Sequence, residues 1–263
     1  MNNKLFYKKN GTGIPLILIH GFTGSHESFE TSVRYLRQYF KVITIDMIGH
    51  GKSFDKNPNN YTFERSVQLI KDILIELNIK KTNLLGYSLG GRLALHFAIN
   101  SSILINKLIL CSTSPGIKDK SKRRDRQNSD SYLVNLLLDQ GIGGFVNYWE
   151  SLSIWEPEKK LSNKIKKTMR KIRLSQNPLG LINSLNSQGQ GIQRFLLKNL
   201  TKIQNKTLIF AGEKDNKYIK NSYEIQKNIK DSKVQIVPNS GHNLILENPI
   251  YIATKTKDFI LKE

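Results

Sequence analysis

The sequence predicts an α/β fold: a mostly parallel central sheet flanked by helices, with a helical cap inserted before the last strands. Three observations predict it. Continuous apolar runs recur along the chain, as PLILIH, KVITID, TNLLGY, KLILCST and KTLIFAG. Segments with helical spacing of apolar residues lie between them. The alternation breaks once, from about residue 115 to 200, where helical patterns and loops hold no convincing strand. Strands that are apolar on both faces belong to parallel sheets covered by helices on both sides.

The elements follow in order. Residues 15–20 form the first long run and end in His-Gly; residues 41–46 form the second and end in the loop MIGHGKS. Residues 63–77 read as a helix, with Val67, Ile70, Ile73, Leu74 and Leu77 on one face. Residues 82–87 and 107–113 are the third and fourth strands. After the helical stretch, residues 206–212 and 233–242 resume the series, and an amphipathic helix near 250–261 closes it. The expected division is a core of residues 1–114 and 201–263 with a cap of residues 115–200. Ligands bind at the carboxyl ends of such strands, which is where an inserted cap would lie.

Composition bounds the function. The chain has 263 residues, of which 38% are hydrophobic and 24% charged, ordinary values for a globular protein. No apolar stretch approaches the roughly 20 residues of a membrane helix, so no membrane insertion is expected. The start, MNNKLFYKKNG, lacks the apolar segment of a secretory signal. With a single cysteine, Cys111, which reads as a buried strand thiol, this points to a reducing compartment, the cytoplasm or a plastid stroma. The net charge of +20 comes largely from lysines spread along the whole chain. The basic clusters at 118–126 and 164–173 have no interleaved aromatics and no nucleic-acid motif. They read first as solvated surface, and no nucleic-acid partner is expected. No metal-ligand spacing and no Walker or dinucleotide fingerprint occurs, so no cofactor is expected. Nothing in the sequence sets an oligomeric state.

The chemistry centres on Gly86-Tyr87-Ser88-Leu89-Gly90, a G-x-S-x-G between a strand and a helix. So sharp a turn strains the serine's backbone, and the neighbours two residues away must lack bulk for the chain to pass itself. The serine then stands at a helix amino terminus, where N–H groups favour negative charge. A glycine-rich turn with an incidental serine is the plainer reading of the motif alone. Two later residues weigh against it: Asp215 follows one strand in GEKD, and His242 follows the next in NSGH. His242 would take the Ser88 proton, and Asp215 would hold the imidazole tautomer. His20 and His50 read as structural. Arg92, four residues beyond Ser88, falls on the same helix face. It would pair either with an internal carboxylate or with a carboxylate brought by a substrate.

Together, the elbow, the order Ser, Asp, His and the His20-Gly21-Phe22 loop resemble the α/β-hydrolase family over nearly the whole chain. That resemblance implies an oxyanion hole made by the backbone N–H groups of Phe22 and Leu89. GYSLGGRLAL, STSPGIKD, GIGGFVNYWE, IRLSQNPLGLINSL, AGEKDNKY and SGHNLILENP are further similar to one branch, the 2-succinyl-6-hydroxy-2,4-cyclohexadiene-1-carboxylate synthases of menaquinone and phylloquinone synthesis. The branch implies a lyase that eliminates pyruvate from 2-succinyl-5-enolpyruvyl-6-hydroxy-3-cyclohexene-1-carboxylate, a small polycarboxylate. Carried onto matching positions, it implies substrate contacts from Tyr87, Arg92, Arg126, Trp149 and Arg173. Arg123 and Arg124 are neighbouring candidates for the Arg126 role, and Gln190 stands where the branch often has threonine. The competing readings are a serine hydrolase, a carboxylesterase or C–C hydrolase on a small anionic substrate, and an interaction module with a vestigial site.

Overall fold

The structure, a computed structural model, describes residues 4–262. In chain order it runs β1 (Tyr7–Asn10), β2 (Ile14–Ile19), α1 (Glu30–Leu36), β3 (Phe40–Ile45), α2 (Phe63–Glu76), β4 (Thr82–Tyr87), α3 (Leu89–Ser101) and β5 (Ile105–Cys111). Then come α4 (Lys120–Ser151), α5 (Asn163–Leu174) and α6 (Pro178–Gln188), followed by β6 (Lys206–Gly212), α7 (Asn216–Gln226), β7 (Ser232–Val237), α8 (Leu244–Glu247) and α9 (Pro249–Lys262).

The seven strands form one sheet in the order β1-β3-β2-β4-β5-β6-β7. All pairs are parallel except β1 with β3. The buried strands obey the period of two. Ile17, Ile19, Leu84, Leu108, Leu110 and Ile209 enter one core with the inner faces of α2 and α3. Leu16, Leu18, Leu85, Ile109, Cys111, Leu208 and Phe210 enter the other with α1 and α9. This two-sided burial is why the strands read as unbroken apolar runs. Cys111 is fully buried, and burial pushes its thiol up.

The sequence reading contains no β1. Its residues, Tyr-Lys-Lys-Asn, are half-buried or exposed at the edge of the sheet. Lysines on an edge strand discourage pairing with other chains and also erase the apolar signal. The strand at residue 233 ends at Val237 rather than in the following loop, because Pro238 has no N–H for the ladder.

Between β5 and β6 no strand occurs among the described residues. Asp119 caps α4 by accepting from the Lys122 N–H, Ser162 caps α5 at Ile165, and Asn177 with Pro178 opens α6. Gly141, at φ 62°, breaks α4 into two arms. The fold lets α4 close on α6 through a small core of its own, including Leu133, Leu137, Phe145, Val146, Leu181 and Leu185. No helix among the described residues is long and apolar enough to cross a membrane.

Candidate active site

Ser88 is the single residue between β4 and α3, and it pays for that position with φ 51° and ψ −109°. A non-glycine residue holds such a conformation only where its surroundings over-determine it. Here they do. A Cβ at Gly86 would strike the Gly90 carbonyl, and one at Gly90 would strike the carbonyls of Ile19 and His20. The Ser88 N–H donates to the Cys111 carbonyl at 2.9 Å, and its carbonyl accepts from the Arg92 N–H at 3.0 Å.

The Ser88 hydroxyl lies 3.0 Å from His242 Nε2, and His242 Nδ1 lies 2.8 Å from Asp215 Oδ2. A carboxylate only accepts, so Nδ1 carries the proton and Nε2 offers its lone pair to the serine. Asp215 is the N-cap of α7, and its other oxygen accepts from the Tyr218 N–H at 3.2 Å. His242 is fixed through its carbonyl, which accepts from Ser112 Oγ at 2.9 Å. The Tyr218 ring packs on the imidazole, with centroids 4.3 Å apart. This is a proton relay: the histidine can draw the proton from the serine, and the aspartate stabilises the imidazolium that results.

Leu89 is the first residue of α3, so its N–H has no acceptor within the helix. Phe22 follows β2 and packs edge-on against Trp149 at 5.5 Å. Both line the pocket above Ser88. His20 braces this loop: Nε2 accepts from the Met47 N–H at 3.0 Å and Nδ1 donates to the Gly21 carbonyl at 2.7 Å. Burial lowers its pKa below the ordinary imidazole value. His50 is likewise buried, which brings it down to about 3.

The pocket spans about 660 Å³ between its atoms, open mouth and solvent included. Its lining includes the aromatic and aliphatic side chains of Tyr87, Trp149, Trp155 and Leu133 and the polar groups of Arg92, Arg126 and Gln190. No carboxylate lines it. Arg92 is buried, and its Nη1 donates to the Gln188 carbonyl at 2.6 Å and to Gln193 Oε1 at 3.1 Å. Burial, with Arg126 nearby, brings it down to about 10, which leaves it charged at neutral pH. Arg126 donates through Nε to Asp130 at 2.8 Å and through Nη1 to Gln190 Oε1 at 2.7 Å. Of the neighbouring arginines, Arg123 is turned onto the Ile117 carbonyl at 2.7 Å, and Arg124 is exposed. Burial raises the Tyr87 hydroxyl well above its ordinary value.

Arg173 is placed differently. It does not line the Ser88 pocket. Its Nη2 grips both oxygens of Glu158, at 3.1 and 3.0 Å, and its Nη1 donates to Glu150 at 3.1 Å. Glu158 also accepts from Asn243, the residue after His242, at 2.7 Å. Sequence reasoning missed Trp155, Tyr218 and the glutamines at 188 and 193. Trp155 stacks near His242 at 5.7 Å, under the Arg173 guanidinium at 5.3 Å. The one available signal was SQGQGIQ, three glutamines within six positions beside glycines. Among the described residues no group of His, Cys, Asp and Glu could hold a metal ion.

Residues 14–249 match the model of the alpha/beta hydrolase fold family. A Bacillus subtilis (strain 168) protein, provisionally named a 2-succinyl-6-hydroxy-2,4-cyclohexadiene-1-carboxylate synthase, is 34% identical over 93% of this chain and 89% of its own. The Escherichia coli K12 protein of that name is 25% identical over 92% of each chain. The solved structure of MenH from S. aureus superposes with a TM-score of 0.93 at 32% identity, covering 99% of this chain and 98% of that one.

Proposed function

We propose that this chain, which belongs to the α/β-hydrolase fold family and within it to the 2-succinyl-6-hydroxy-2,4-cyclohexadiene-1-carboxylate synthases, is a lyase. It eliminates pyruvate from 2-succinyl-5-enolpyruvyl-6-hydroxy-3-cyclohexene-1-carboxylate. One observation carries the reading: a Ser88–His242–Asp215 relay opens onto a pocket lined by two guanidinium groups and, among the described residues, by no carboxylate. A neutral ester would gain nothing from the buried Arg92, whose desolvation is costly. A substrate with several carboxylates supplies the anion it lacks.

In this mechanism His242 accepts the Ser88 proton, and the serine oxygen removes a proton from a ring carbon. The C2–H electron pair becomes the C2=C3 double bond, and the existing C3=C4 pair shifts to C4=C5. The bond between the ring and the enolpyruvyl oxygen breaks, and the three-carbon unit leaves as the enolate, which takes up a proton to become pyruvate. Negative charge that develops on substrate oxygen is held by the Phe22 and Leu89 N–H groups. A positioned base contributes about two to four powers of ten, and each oxyanion donor about two to three. Tyr87 and Trp149 shape the ring's seat, while Arg92 and Arg126 receive carboxylates. Arg173 joins them only if Glu158 and Glu150 release it. Residues 1–114 and 201–263 act as the catalytic core and residues 115–200 as the cap. A small polycarboxylate is the partner this reading needs, in a cytoplasmic or plastid stromal setting.

The test supplies the purified protein with this substrate in H₂¹⁸O and follows pyruvate. Release of pyruvate with no ¹⁸O in the cyclohexadiene product is expected of an elimination. Robust hydrolysis of neutral esters, with solvent oxygen in the acid and no pyruvate release, would instead establish a serine hydrolase.

A further inference from the structure

The segment SQGQGIQ, which follows α6, surrounds the two pocket arginines with three glutamines. Gln188, Gln190 and Gln193 are each at most 2% exposed. Gln193 Oε1 and the Gln188 carbonyl share Arg92 Nη1, and Gln190 Oε1 takes Arg126 Nη1. An arginine only donates, so the Gln190 and Gln193 carboxamides must present their oxygens, while Gln188 serves through its backbone carbonyl. The segment is itself anchored: Gln188 Nε2 donates to Ser66 Oγ at 2.8 Å and to the Thr62 carbonyl at 3.3 Å, at the start of α2. Gln190 lines the pocket beside Tyr218, whose ring packs on His242.

Burying carboxamides here is expensive. Gln188 Oε1 and Gln193 Nε2 have no hydrogen-bond partner, and an orphaned buried polar atom costs about 1–3 kcal/mol. Glutamates in the same places would have given charge-assisted bonds of roughly twice the strength. The chain forgoes them. The cluster's one carboxylate, Asp130, is shared by no second arginine: it bonds Arg126 Nε alone, and Arg92 contacts only neutral oxygens. Arg92 is thus held by neutral oxygens alone, and Arg126 gives only its Nε to a carboxylate while its Nη1 goes to a neutral carboxamide.

We propose that the Gln188–Gln193 segment is the positioning and charge-selecting element of the pocket. It aims two guanidinium groups at a dianionic ligand end, and it selects anions by withholding a carboxylate. This rests on the polyanion reading of the site, but its test does not need turnover.

Trp149 and Trp155 are the chain's two tryptophans and both line the pocket, so intrinsic fluorescence reads occupancy. The whole protein is titrated with succinate at two salt concentrations, as wild type and as Gln190→Glu, Gln193→Glu, Gln190→Met and Gln193→Met. We expect the succinate Kd to rise at least about tenfold in each glutamate variant, where a new carboxylate cancels the field. In each methionine variant it rises about threefold with the salt dependence retained, because only the orientation is lost. Equal losses in the glutamate and methionine variants would overturn charge selection. A glutamate variant within threefold of wild type would do the same, as would a wild type that does not bind succinate. The methionine variants add no charge and keep the test open if a glutamate variant misfolds: an unchanged Kd in both would overturn positioning. Succinate binding with this rank order in a protein that releases no pyruvate would sink the lyase and spare the glutamines; pyruvate release without the rank order would do the reverse.

Discussion

Two buried arginines, one on the sheet wall of the site and one on the cap wall behind the pocket, hold their charge on opposite terms. On the sheet side, Arg92 leaves α3 one turn after Ser88 and meets only neutral oxygens. On the cap side, Arg173 is just as buried but is pinned between Glu158 and Glu150. One guanidinium is available to an anionic ligand, and the other ties the cap segment carrying Trp155 to the loop that carries His242. Residue type and burial are the same. What differs is the partner, and the partner decides whether a buried arginine recognises a substrate or closes a structure. Arg92 should therefore govern charge recognition, and the Arg173 clasp on the cap wall should govern closure and stability.

The largest break in this comparison is Ser88→Ala. Pyruvate release should fall by about four powers of ten or more while the urea midpoint stays near wild type, because the serine supplies chemistry and little packing. Turnover within tenfold of wild type would remove Ser88 as the base. Asp215→Asn comes next. The geometry survives, but the amide favours the wrong imidazole tautomer, and kcat should drop by roughly three to four powers of ten. If this variant turns over normally while a Glu247 variant is dead, the acid is elsewhere.

On the cap wall, Glu158→Ala should cost stability rather than chemistry. It strips one buried partner from Arg173 and the acceptor from Asn243, a loss of about 3 kcal/mol in urea unfolding. With saturating substrate, kcat should fall far less than in Ser88→Ala. A stability change below about 0.5 kcal/mol would show that the clasp does not hold the cap. Arg92→Ala sharpens the contrast from the other side: kcat/KM should fall about ten- to hundredfold, as expected for one charge-assisted contact. Arg92→Lys should recover part of this, since a point charge cannot reproduce the fork. Neutral-ester hydrolysis that suffered equally would make Arg92 a structural residue.

The smallest effect is a pH dependence behind the sheet wall. His96 stacks flat on Phe63 at 4.1 Å, and its Nε2 is buried without a partner. Burial lowers it to about 4; Glu64 favours protonation, while Arg92 and Arg194 oppose it. The unfolded chain takes up this proton near pH 6.5 and the folded one does not, so stability rises with pH across that window. Acidifying from pH 7 to 5.5 should cost roughly 1 kcal/mol through this group. His50 and His20, also held down by burial, add to the wild-type slope, so the measurement is the difference between wild type and His96→Phe. An unchanged slope would show that His96 is charged in the fold.

Much of this was legible in the sequence because it is decided locally. Residues 82–87 and 206–212 form strands over the spans their apolar runs mark. The helix expected at 63–77 ends one residue earlier, at Glu76. The elbow could be read because sterics around one backbone turn dictate glycine at 86 and 90. The edge strand β1 could not, since its stability comes from hydrogen bonds to β3 and not from an apolar pattern. Nor could the internal partners of the pocket arginines. Arg92 meets Gln193 across 101 positions and Arg126 meets Gln190 across 64.

The sequence by itself determined the strand and helix series, the helical interruption, the strained turn at Ser88 and the order Ser88, Asp215, His242. Each follows from periodicity or from the shape of a few consecutive residues. Only the tertiary structure decided that Ser88, His242 and Asp215 stand within hydrogen-bond distance. It also decided that Arg92 meets only neutral oxygens, that Arg126 meets Asp130 and Gln190, and that Arg173 is occupied by Glu158 and Glu150. The physical reason is that the charge a buried arginine can offer depends on which oxygens reach it in space, and those oxygens arrive from elements that no local pattern relates.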